Sequence, residues 1–197
     1  EKDKIDHVIF DMLEMSNKTS EEVFSLLDNL LKWTKSQLGK LTVIPQKLDI
    51  SGLADGVVEV MNSVAEVKHI KLIRTDHESF FVYVDIEMIK SVLRNLISNA
   101  VKFSNPDSEI KVGIKAEDGK VIVSVTDSGK GIKKEDQHKL LKDSTHFTTY
   151  GTNSEEGSGL GLLLCRDFAR KNGGELWFES EENLGSDFSF SLPQLIA

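Results

Sequence analysis

Two asparagines and a lysine near the middle of this chain have side chains suited to binding metal and phosphate. Asn95, Asn99 and Lys102 are four and three residues apart, so a helix would bring them within about 60° of one another on one face. Asparagine oxygen is a hard ligand for Mg²⁺, and the lysine ammonium is a point charge for phosphate. Taken alone, the pattern is more typical of the solvated side of an amphipathic helix. Asparagine is a mediocre helix former, however, so two on one face favour a functional reason.

A second candidate group follows a predicted strand that ends at Thr126. Asp127 comes next, then Gly129, Gly131 and Ile132. A carboxylate at a strand end can accept a hydrogen bond from the exocyclic amine of a base, and glycines let the backbone approach a flat ring. Because Asp-Ser-Gly is also an ordinary turn sequence, this motif by itself leaves both interpretations open.

A third group is the glycine-rich loop at residues 157–162, which opens a predicted helix. Helix N-termini offer free N–H groups and a positive dipole end, so such a loop can hold phosphate. It is neither the dinucleotide fingerprint, since no strand directly precedes it, nor a P-loop, since no Gly-Lys-Ser/Thr follows. About 25 residues of little regular pattern separate it from the second group, which is a length typical of a lid or a disordered segment. A lid over nucleotide fits.

The first part of the chain is predicted to be one long amphipathic helix. Residues 5–38 contain no Pro or Gly and carry apolar residues at helical spacing, with a break expected near residues 16–20 and a stop at Gly39. An apolar stripe on a lone helix needs a partner, which implies a helical hairpin or a dimer. The domain boundary is expected near residues 39–42, which divides the chain into residues 1–40 and 41–197.

After this boundary the pattern predicts short strands alternating with helices. The predicted helices cover residues 51–68, 85–103, 133–141 and 160–171. Residues 42–50 are expected to be extended, and the predicted strands cover residues 71–74, 80–84, 109–116, 120–126, 175–180 and 187–192. This order indicates an α+β fold, a two-layer α/β sandwich in which one mixed sheet is covered by helices on one face. The long helix precedes it.

Composition narrows the function classes. A formal net charge of −8 argues against a nucleic-acid surface, so bound nucleotide needs local cations or a metal. The lone cysteine, Cys165, lies in an apolar run and is predicted to fill the core. Because no stretch approaches the ~18 apolar residues of a membrane span, we expect a cytoplasmic fragment whose membrane contact, if any, comes through regions outside it.

In their order and spacing these motifs resemble the ATP-binding domain of bacterial-type sensor histidine kinases, within the superfamily shared with gyrase, Hsp90 and MutL. The similar segments are an N box at residues 95–103, a first glycine box at 127–132, an F-box and lid at 147–152, a second glycine box at 157–162 and a closing hairpin at 173–193. The resemblance covers about residues 40–193. The Asn-Ala-x-Lys-Phe run and the short lid favour the histidine-kinase branch.

The resemblance implies a role for each motif. Asn99 would coordinate the Mg²⁺ that bridges the phosphates, while Asn95 would support the metal site. Lys102 would contact phosphate and, with Asn95, act in catalysis. Phe103 would lie against the adenine, and Asp127 would accept from its amino group. The other implied ATP-binding residues are Gly129, Gly131, Ile132, Gly151, Thr152, Gly157, Ser158, Gly159, Leu160, Gly161 and Leu162.

Residues 1–40 resemble the second helix of the dimerisation and phosphotransfer hairpin of these kinases, most clearly at residues 27–37. The acceptor motif His-Glu/Asp-Leu-Arg-x-Pro is not in the chain, so we expect the acceptor helix to lie outside it. His7 lacks the motif's context and is too close to Trp33 to be the acceptor. The other histidines, at 69, 77, 138 and 146, are expected to be exposed loop or helix residues.

The sequence therefore predicts the Mg²⁺-ATP-binding core of a two-component kinase. In the full protein it would phosphorylate a histidine on a hairpin helix, a response-regulator receiver domain would take the phosphoryl group on an aspartate, and the hairpin would form a homodimer. An alternative is a non-catalytic nucleotide-sensing or dimerisation module. A gyrase-type ATP-hydrolysing clamp is disfavoured because it would carry a catalytic Glu where Asn95 stands.

Overall fold

The computed structural model describes residues 2–141, 149, 151–152 and 159–195. Two compact units, Glu1–Leu41 and Thr42–Ala197, make up the chain. The assignment of the first unit to a dimerisation and phosphotransfer segment stays a prediction. Among the described residues, no helix combines the length and apolarity needed to cross a membrane.

The first unit is built on one long helix, α1 (Lys2–Gln37). The predicted break near residues 16–20 is wrong, because the helix runs through this stretch without interruption. Within this stretch the hydroxyls of Thr19 and Ser20 donate to the carbonyls of Met15 and Ser16, at 2.8 and 2.9 Å. The polar side chains that suggested a break thus make hydrogen bonds within the helix.

The end of α1 is set by Gly39, as predicted. This glycine has a φ of 66°, in the left-handed region that glycine adopts without strain. The Gly39 N–H donates to the Ser36 carbonyl (3.0 Å), and the Lys40 N–H donates to the Lys35 carbonyl (2.9 Å). These two bonds form the pattern that commonly closes a helix at a glycine.

The second unit combines strands and helices. In chain order they are β1 (Gln46–Asp49), α2 (Ile50–Glu66), β2 (Lys71–Arg74), β3 (Phe81–Val84), α3 (Ile86–Phe103), β4 (Glu109–Glu117), β5 (Lys120–Asp127), α4 (Lys134–Gln137), α5 (Gly161–Lys171), β6 (Leu176–Glu181) and β7 (Gly185–Pro193). A five-stranded sheet has the order β2-β4-β5-β7-β6, with β2 parallel to β4 and the other neighbours antiparallel. β1 and β3 form a separate antiparallel pair, which the sequence pattern does not predict.

Local chemistry explains where several of these elements begin and turn. Asp49 and Asp85 cap α2 and α3, each accepting a backbone N–H of the first turn at 3.1 Å. The β4–β5 hairpin turns at Asp118 and Gly119, whose φ values of 51° and 73° are those of a tight two-residue hairpin turn. Each of these caps, and this turn, depends on residues that are near neighbours in the sequence.

The helix predicted at residues 133–141 is shorter than expected, since only α4 (Lys134–Gln137) is helical. Lys133 precedes it and supplies no side-chain cap. Beyond α4 the chain continues in turns, where the Lys139 N–H donates to the carbonyl of Asp136 at 2.9 Å. A polar segment without a cap or a buried face has little to extend it into a longer helix.

Helices α2, α3 and α5 cover one face of the five-stranded sheet, which makes the two-layer sandwich that the sequence predicts. Along β5 the buried residues alternate at Val121, Val123, Val125 and Asp127. Side chains two apart in a strand share a face, so the carboxylate of Asp127 points to the same side as the three valines. The largest fully buried side chains include Phe190, Ile50, Ile89, Leu93, Leu96, Ile97, Ile110, Leu164 and Leu192.

Candidate functional site

Helix α3 has one buried apolar face and one half-buried polar face. The buried residues are Met88, Ile89, Val92, Leu93, Leu96, Ile97, Ala100 and Val101. On the polar face, the Nδ2 of Asn99 donates to the Oδ1 of Asn95 at 3.2 Å. Because this bond uses the amide nitrogen of Asn99, it leaves the Oδ1 of Asn99 available as an acceptor or metal ligand.

The start of α5 lies directly against Asn95. A Cβ built on Gly161 would come within 2.6 Å of both the Nδ2 and the Oδ1 of Asn95, so the contact relies on the missing side chain of glycine. Gly159, with a φ of 69°, takes the left-handed conformation two residues earlier. Leu160 is buried and anchors the first turn. The second glycine group and the asparagine pair are therefore neighbours.

Asp127 ends β5 with a buried carboxyl group. Its Oδ1 accepts from the N–H of Gly129 at 2.8 Å, and the backbone of Ser186 gives a second hydrogen bond. Burial raises the pKa of this carboxyl to about 6, because the two hydrogen bonds, which lower it, offset only part of the desolvation. The negative charge of Asp187 raises the pKa further. At neutral pH Asp127 is thus an ionised hydrogen-bond acceptor that is shielded from solvent.

The loop after β5 is tied to the end of α3. The N–H of Lys130 donates to the Phe103 carbonyl at 3.1 Å. A Cβ on Gly129 would lie 2.2 Å from that same carbonyl oxygen. Gly131 has a φ of 59°, and a Cβ there would lie 1.9 Å from the carbonyl oxygen of Glu181. Both glycines are required by close backbone approach.

Positive charge gathers around Phe103. The Nζ of Lys102 lies 5.0 Å from the centre of its ring, and the Nζ of Lys130 lies 4.7 Å from it. Ammonium groups at this distance are attracted by the ring's electrons. On a chain with a formal net charge of −8, this pair provides the local cations that an anionic ligand needs.

Residues 151 and 152 lie beside the C-terminal end of α3. The N–H of Thr152 donates to the Lys102 carbonyl at 3.0 Å. The Oγ1 of Thr152 is 2.8 Å from the Ser104 carbonyl oxygen and 3.1 Å from that of Lys102. The polar groups of Thr152 are thus directed to the backbone of α3, and Gly151 is half-buried beside it.

Three groups far apart in the sequence therefore meet on one helix. Asn95 contacts the start of α5, Phe103 contacts the loop after β5, and Lys102 contacts Thr152. The family model described as histidine kinase-, DNA gyrase B-, and HSP90-like ATPase matches residues 84–196, which include all three. The chain belongs to this ATPase family.

Proteins similar to this chain include sensory and histidine kinases. The adaptive-response sensory kinase SasA of Crocosphaera subtropica is 36% identical over 170 residues, which are 85% of this chain and 44% of SasA. The catalytic domain of histidine kinase ThkA is 31% identical, with a TM-score of 0.66 over 77% of this chain and 96% of that domain. Full-length ShkA in complex with AMPPNP has the same fold, with a TM-score of 0.76 at 23% identity over 91% of this chain and 37% of ShkA.

The ATP-binding catalytic domain of a histidine kinase is thus present in this chain. The chain spans less than half the length of SasA. Of the residues that the sequence assigns to ATP, α3 carries Asn95, Asn99, Lys102 and Phe103, and it contacts Gly129, Thr152 and Gly161. Within two positions of these contacting residues in the chain are Asp127, Gly131, Gly151, Gly159 and Leu160. Ile132 and Leu162 are half-buried in the adjoining loop and in α5. Gly157, Ser158, Phe147, Thr148 and Tyr150 lie outside the described residues.

The sequence pattern missed two side chains that connect the segments of this candidate site. The amide of Gln137 donates to the carbonyls of Ile132 (3.0 Å) and Ser180 (2.8 Å), which ties the end of the loop to β6. Lys68 is buried, and its ammonium donates to the end of α3 and to Thr152. Neither residue belongs to a recognisable motif, so no local signal could have found them.

The cysteine and histidine predictions concern residues away from these contacts. Cys165 is 2% exposed, and burial raises the pKa of its thiol, so it fills the core as predicted. His69, His77 and His138 are exposed, as predicted. The His7 side chain and His146 lie outside the described part of the structure.

Proposed function

We propose that this chain is the ATP-binding core of a two-component sensor histidine kinase. In the full protein it transfers the γ-phosphoryl group of ATP to a histidine on a hairpin helix, from which a response-regulator aspartate takes it. The observation that carries this proposal is the meeting of Asn95, Lys102 and Phe103 with Gly161, Thr152 and Lys130 along α3. Catalysis of phosphoryl transfer rests on positioning and charge neutralisation, and both are available along this helix.

At one end of α3, Asp127 and Phe103 provide the chemistry for an adenine ring. The ionised carboxylate of Asp127 accepts a hydrogen bond from the exocyclic amino group, and charge strengthens such a bond. Phe103 offers an aromatic face beside it. Because Gly129 carries no side chain, the backbone of the loop comes close to the end of α3 that carries Phe103.

Two lysines and the start of α5 suit a triphosphate. Lys102 and Lys130 supply positive charge beside Phe103. The first N–H groups of α5, which begins at Gly161, add the positive end of a helix dipole. Asn95, in contact with Gly161, links the asparagine pair to this helix start. We assign Lys102 to phosphate contact and Asn95 to support of the reacting end.

The donor set fits a magnesium ion that is held mainly by the nucleotide. Among the described residues, no group of three or more His, Cys, Asp or Glu side chains could hold a metal ion. Mg²⁺ commonly takes few protein oxygens and completes its shell with waters and substrate phosphates. The Oδ1 of Asn99 would be that protein ligand, oriented by the bond to Asn95. A bound ion would supply charge neutralisation at the phosphates.

The proposed partners are a response-regulator receiver domain and a second copy of the chain. Among the described residues of α1, eleven large apolar side chains are at least 43% exposed, namely Ile9, Phe10, Met12, Leu13, Met15, Val23, Phe24, Leu26, Leu27, Leu30 and Leu31. A helix with this much exposed apolar surface gains stability by packing against another helix. We therefore propose that residues 1–40 belong to the dimerising hairpin.

The test combines nucleotide binding with transfer to an acceptor. We expect calorimetric titration of the 197-residue chain with ATP to give Mg²⁺-dependent binding. We also expect γ-labelled ATP to label a histidine on an added hairpin peptide that carries an acceptor motif. If nucleotide binds and no acceptor histidine is ever labelled, the kinase proposal fails and a non-catalytic nucleotide-sensing module takes its place.

The variant Asp127→Asn tests the role of this carboxylate in ATP binding. Removing the charge and placing an NH₂ group towards the adenine amine should weaken ATP about 10- to 100-fold, since a hydrogen bond to a charged group contributes about 1.5–3 kcal/mol. Asp118→Asn is the control, because Asp118 is an exposed turn residue with a φ of 51° that asparagine also tolerates. Equal affinity in the two variants would contradict the role of Asp127.

A further inference from the structure

Lys68 is a buried cation without a role in the proposed chemistry. It follows α2, and only 7% of its surface is exposed. Its Nζ donates to the carbonyls of Val101 (3.1 Å) and Lys102 (3.0 Å) and to the Oγ1 of Thr152 (2.9 Å). Burying an ammonium group costs free energy unless hydrogen bonds and charge compensate for it. The negative end of the α3 dipole gives part of that compensation.

Thr152 completes the same arrangement from the other side. Its N–H donates to the Lys102 carbonyl (3.0 Å), and its hydroxyl is 2.8 Å from the Ser104 carbonyl oxygen. A hydroxyl has one proton to donate and can also accept. It therefore donates to α3 and accepts from Lys68 at the same time. Lys68 is 84 positions away in the sequence from Thr152, yet the two side chains share one contact.

Together with Lys130, this pair binds every carbonyl at the end of α3. Lys68 binds the carbonyls of Val101 and Lys102, the N–H of Lys130 binds that of Phe103, and Thr152 binds that of Ser104. These carbonyls have no partner within the helix and are commonly satisfied by water or by a glycine cap. Here three separate segments satisfy them, which fixes the backbone from which the Lys102 and Phe103 side chains extend.

We propose that Lys68 and Thr152 form a latch that positions Lys102 and Phe103 for nucleotide, an inference that rests on the proposed function. Lys68 is a positioning residue, because it acts through the backbone of α3 and not on the ligand. The latch also fastens residues 151–152, between the two glycine boxes, to the helix that carries the phosphate-contacting lysine. Loss of the latch should therefore reduce nucleotide affinity beyond any loss of folding stability.

The sharpest test substitutes Thr152 in the 197-residue chain. Thr152→Val keeps the shape of the side chain and removes the hydroxyl, whereas Thr152→Ser keeps the hydroxyl. We expect Thr152→Val to weaken ATP about tenfold, since one lost hydrogen bond contributes about a factor of ten, and Thr152→Ser to stay near the wild-type affinity. Binding is measured by calorimetry at a temperature well below the Tm of each variant, and each Tm is measured separately.

Thr75→Val is the matched control. The Thr75 hydroxyl also makes a hydrogen bond, to Asp76 at 3.2 Å, but it contacts neither α3 nor the glycine loops. Its loss should leave ATP affinity unchanged. Lys68→Arg and Lys68→Met give a second series, in which arginine should retain more affinity than methionine, because it keeps a charged donor in the same place. That comparison tests the latch even if methionine lowers the Tm strongly.

Two negative results are distinguishable. If the wild-type chain binds ATP and Thr152→Val binds it equally well, with only a lower Tm, the latch is structural and the positioning role is overturned. If the wild-type chain binds no ATP, the proposed function fails and the latch fails with it. An equal loss in Thr152→Ser and Thr152→Val would also overturn the inference, because the hydroxyl would not be the cause.

Discussion

At the residue scale, Asp127 places a charged side chain at a buried strand position where an apolar residue would favour folding. Its place in β5 continues the buried alternation of Val121, Val123 and Val125, so its carboxylate is held away from water. Burial raises its pKa from 3.8 to about 6. A shift of this size opposes folding at neutral pH by on the order of 3 kcal/mol. We infer that an ionised acceptor is retained at this cost for binding.

The raised pKa of Asp127 makes the free energy of unfolding depend on pH. Since the folded-state pKa of Asp127 lies above the ordinary value, the protonated carboxyl favours the folded protein. This contribution is complete below about pH 4 and is lost as the pH rises through about 6. In Asp127→Asn the free energy of unfolding should lack this component between pH 4 and 6, as measured by urea titration at several pH values.

The pH dependence of binding should have the opposite sign. Protonation of Asp127 removes the charged acceptor, so affinity should fall as the pH is lowered from 7.5 through about 6. Adenosine is the ligand to use in the calorimetric titration, because it carries no phosphate to titrate in this range. Asp127→Asn should show weak adenosine binding with no such pH dependence. A wild-type affinity that is constant from pH 7.5 to 5 would contradict this assignment.

At the element scale, glycines decide how closely the loops and α5 approach α3. Gly161 touches the flexible end of the Asn95 side chain, whereas Gly129 and Gly131 face backbone oxygens that cannot move aside. A side-chain neighbour can rotate away, but a backbone neighbour must shift with its whole strand or helix. Substitutions at these glycines should therefore separate loss of binding from loss of folding.

Gly161→Ala should impair nucleotide binding with little effect on stability. The new Cβ would displace the Asn95 amide, 2.6 Å away, and break its bond to Asn99. Alanine favours the α5 helix by about 1 kcal/mol over glycine, which offsets the strain. Gly56→Ala in α2 is the control, because a Cβ at Gly56 meets nothing within 4 Å, and it should stabilise the protein without changing affinity. Calorimetric ATP titration and the Tm of both variants provide the comparison.

Gly131→Ala should instead destabilise the fold. It combines a φ of 59° with a Cβ 1.9 Å from the carbonyl oxygen of Glu181, so the loop or β6 must move. We expect a loss of more than about 2 kcal/mol in the free energy of unfolding by urea titration. Gly119→Ala has a similar φ of 73° but meets no atom within 4 Å, so it should cost only about 1 kcal/mol. Equal losses of unfolding free energy in the two variants would show that the positive φ alone, and not the contact with Glu181, causes the destabilisation.

At the scale of the whole molecule, the proposed site and the proposed dimerising helix belong to different units. Every described residue assigned to nucleotide lies within Thr42–Ala197, which has its own buried core. The exposed apolar side chains of α1 lie within Glu1–Leu41. Binding and association should therefore be separable by cutting the chain between the units.

A chain that begins at Thr42 should fold and bind ATP with the affinity of the 197-residue chain. Analytical ultracentrifugation should show a monomer for the shorter chain and a dimer for the longer one, because the exposed apolar stripe of α1 would be removed. A large loss of ATP affinity on truncation would mean that the first unit contributes to the site. A monomeric longer chain would contradict the role proposed for α1.

The sequence by itself determined what depends on near neighbours. Helix and strand periodicity and the stop at Gly39 were predictable because each involves residues a few positions apart. The order of the N box and the glycine boxes was enough to predict the family. Local pattern failed near residues 16–20, where α1 continues without a break, and at residues 133–141, where the short helix α4 has no side-chain cap.

Only the tertiary structure decided the features that join distant segments. These include the β1–β3 pair, the burial and raised pKa of Asp127, the contact of Gly161 with Asn95 and the link from Lys68 to Thr152. One physical reason explains why the sequence does not predict these features. Desolvation and close packing depend on which segments the fold brings together, and no periodicity within one segment encodes its neighbour across the site.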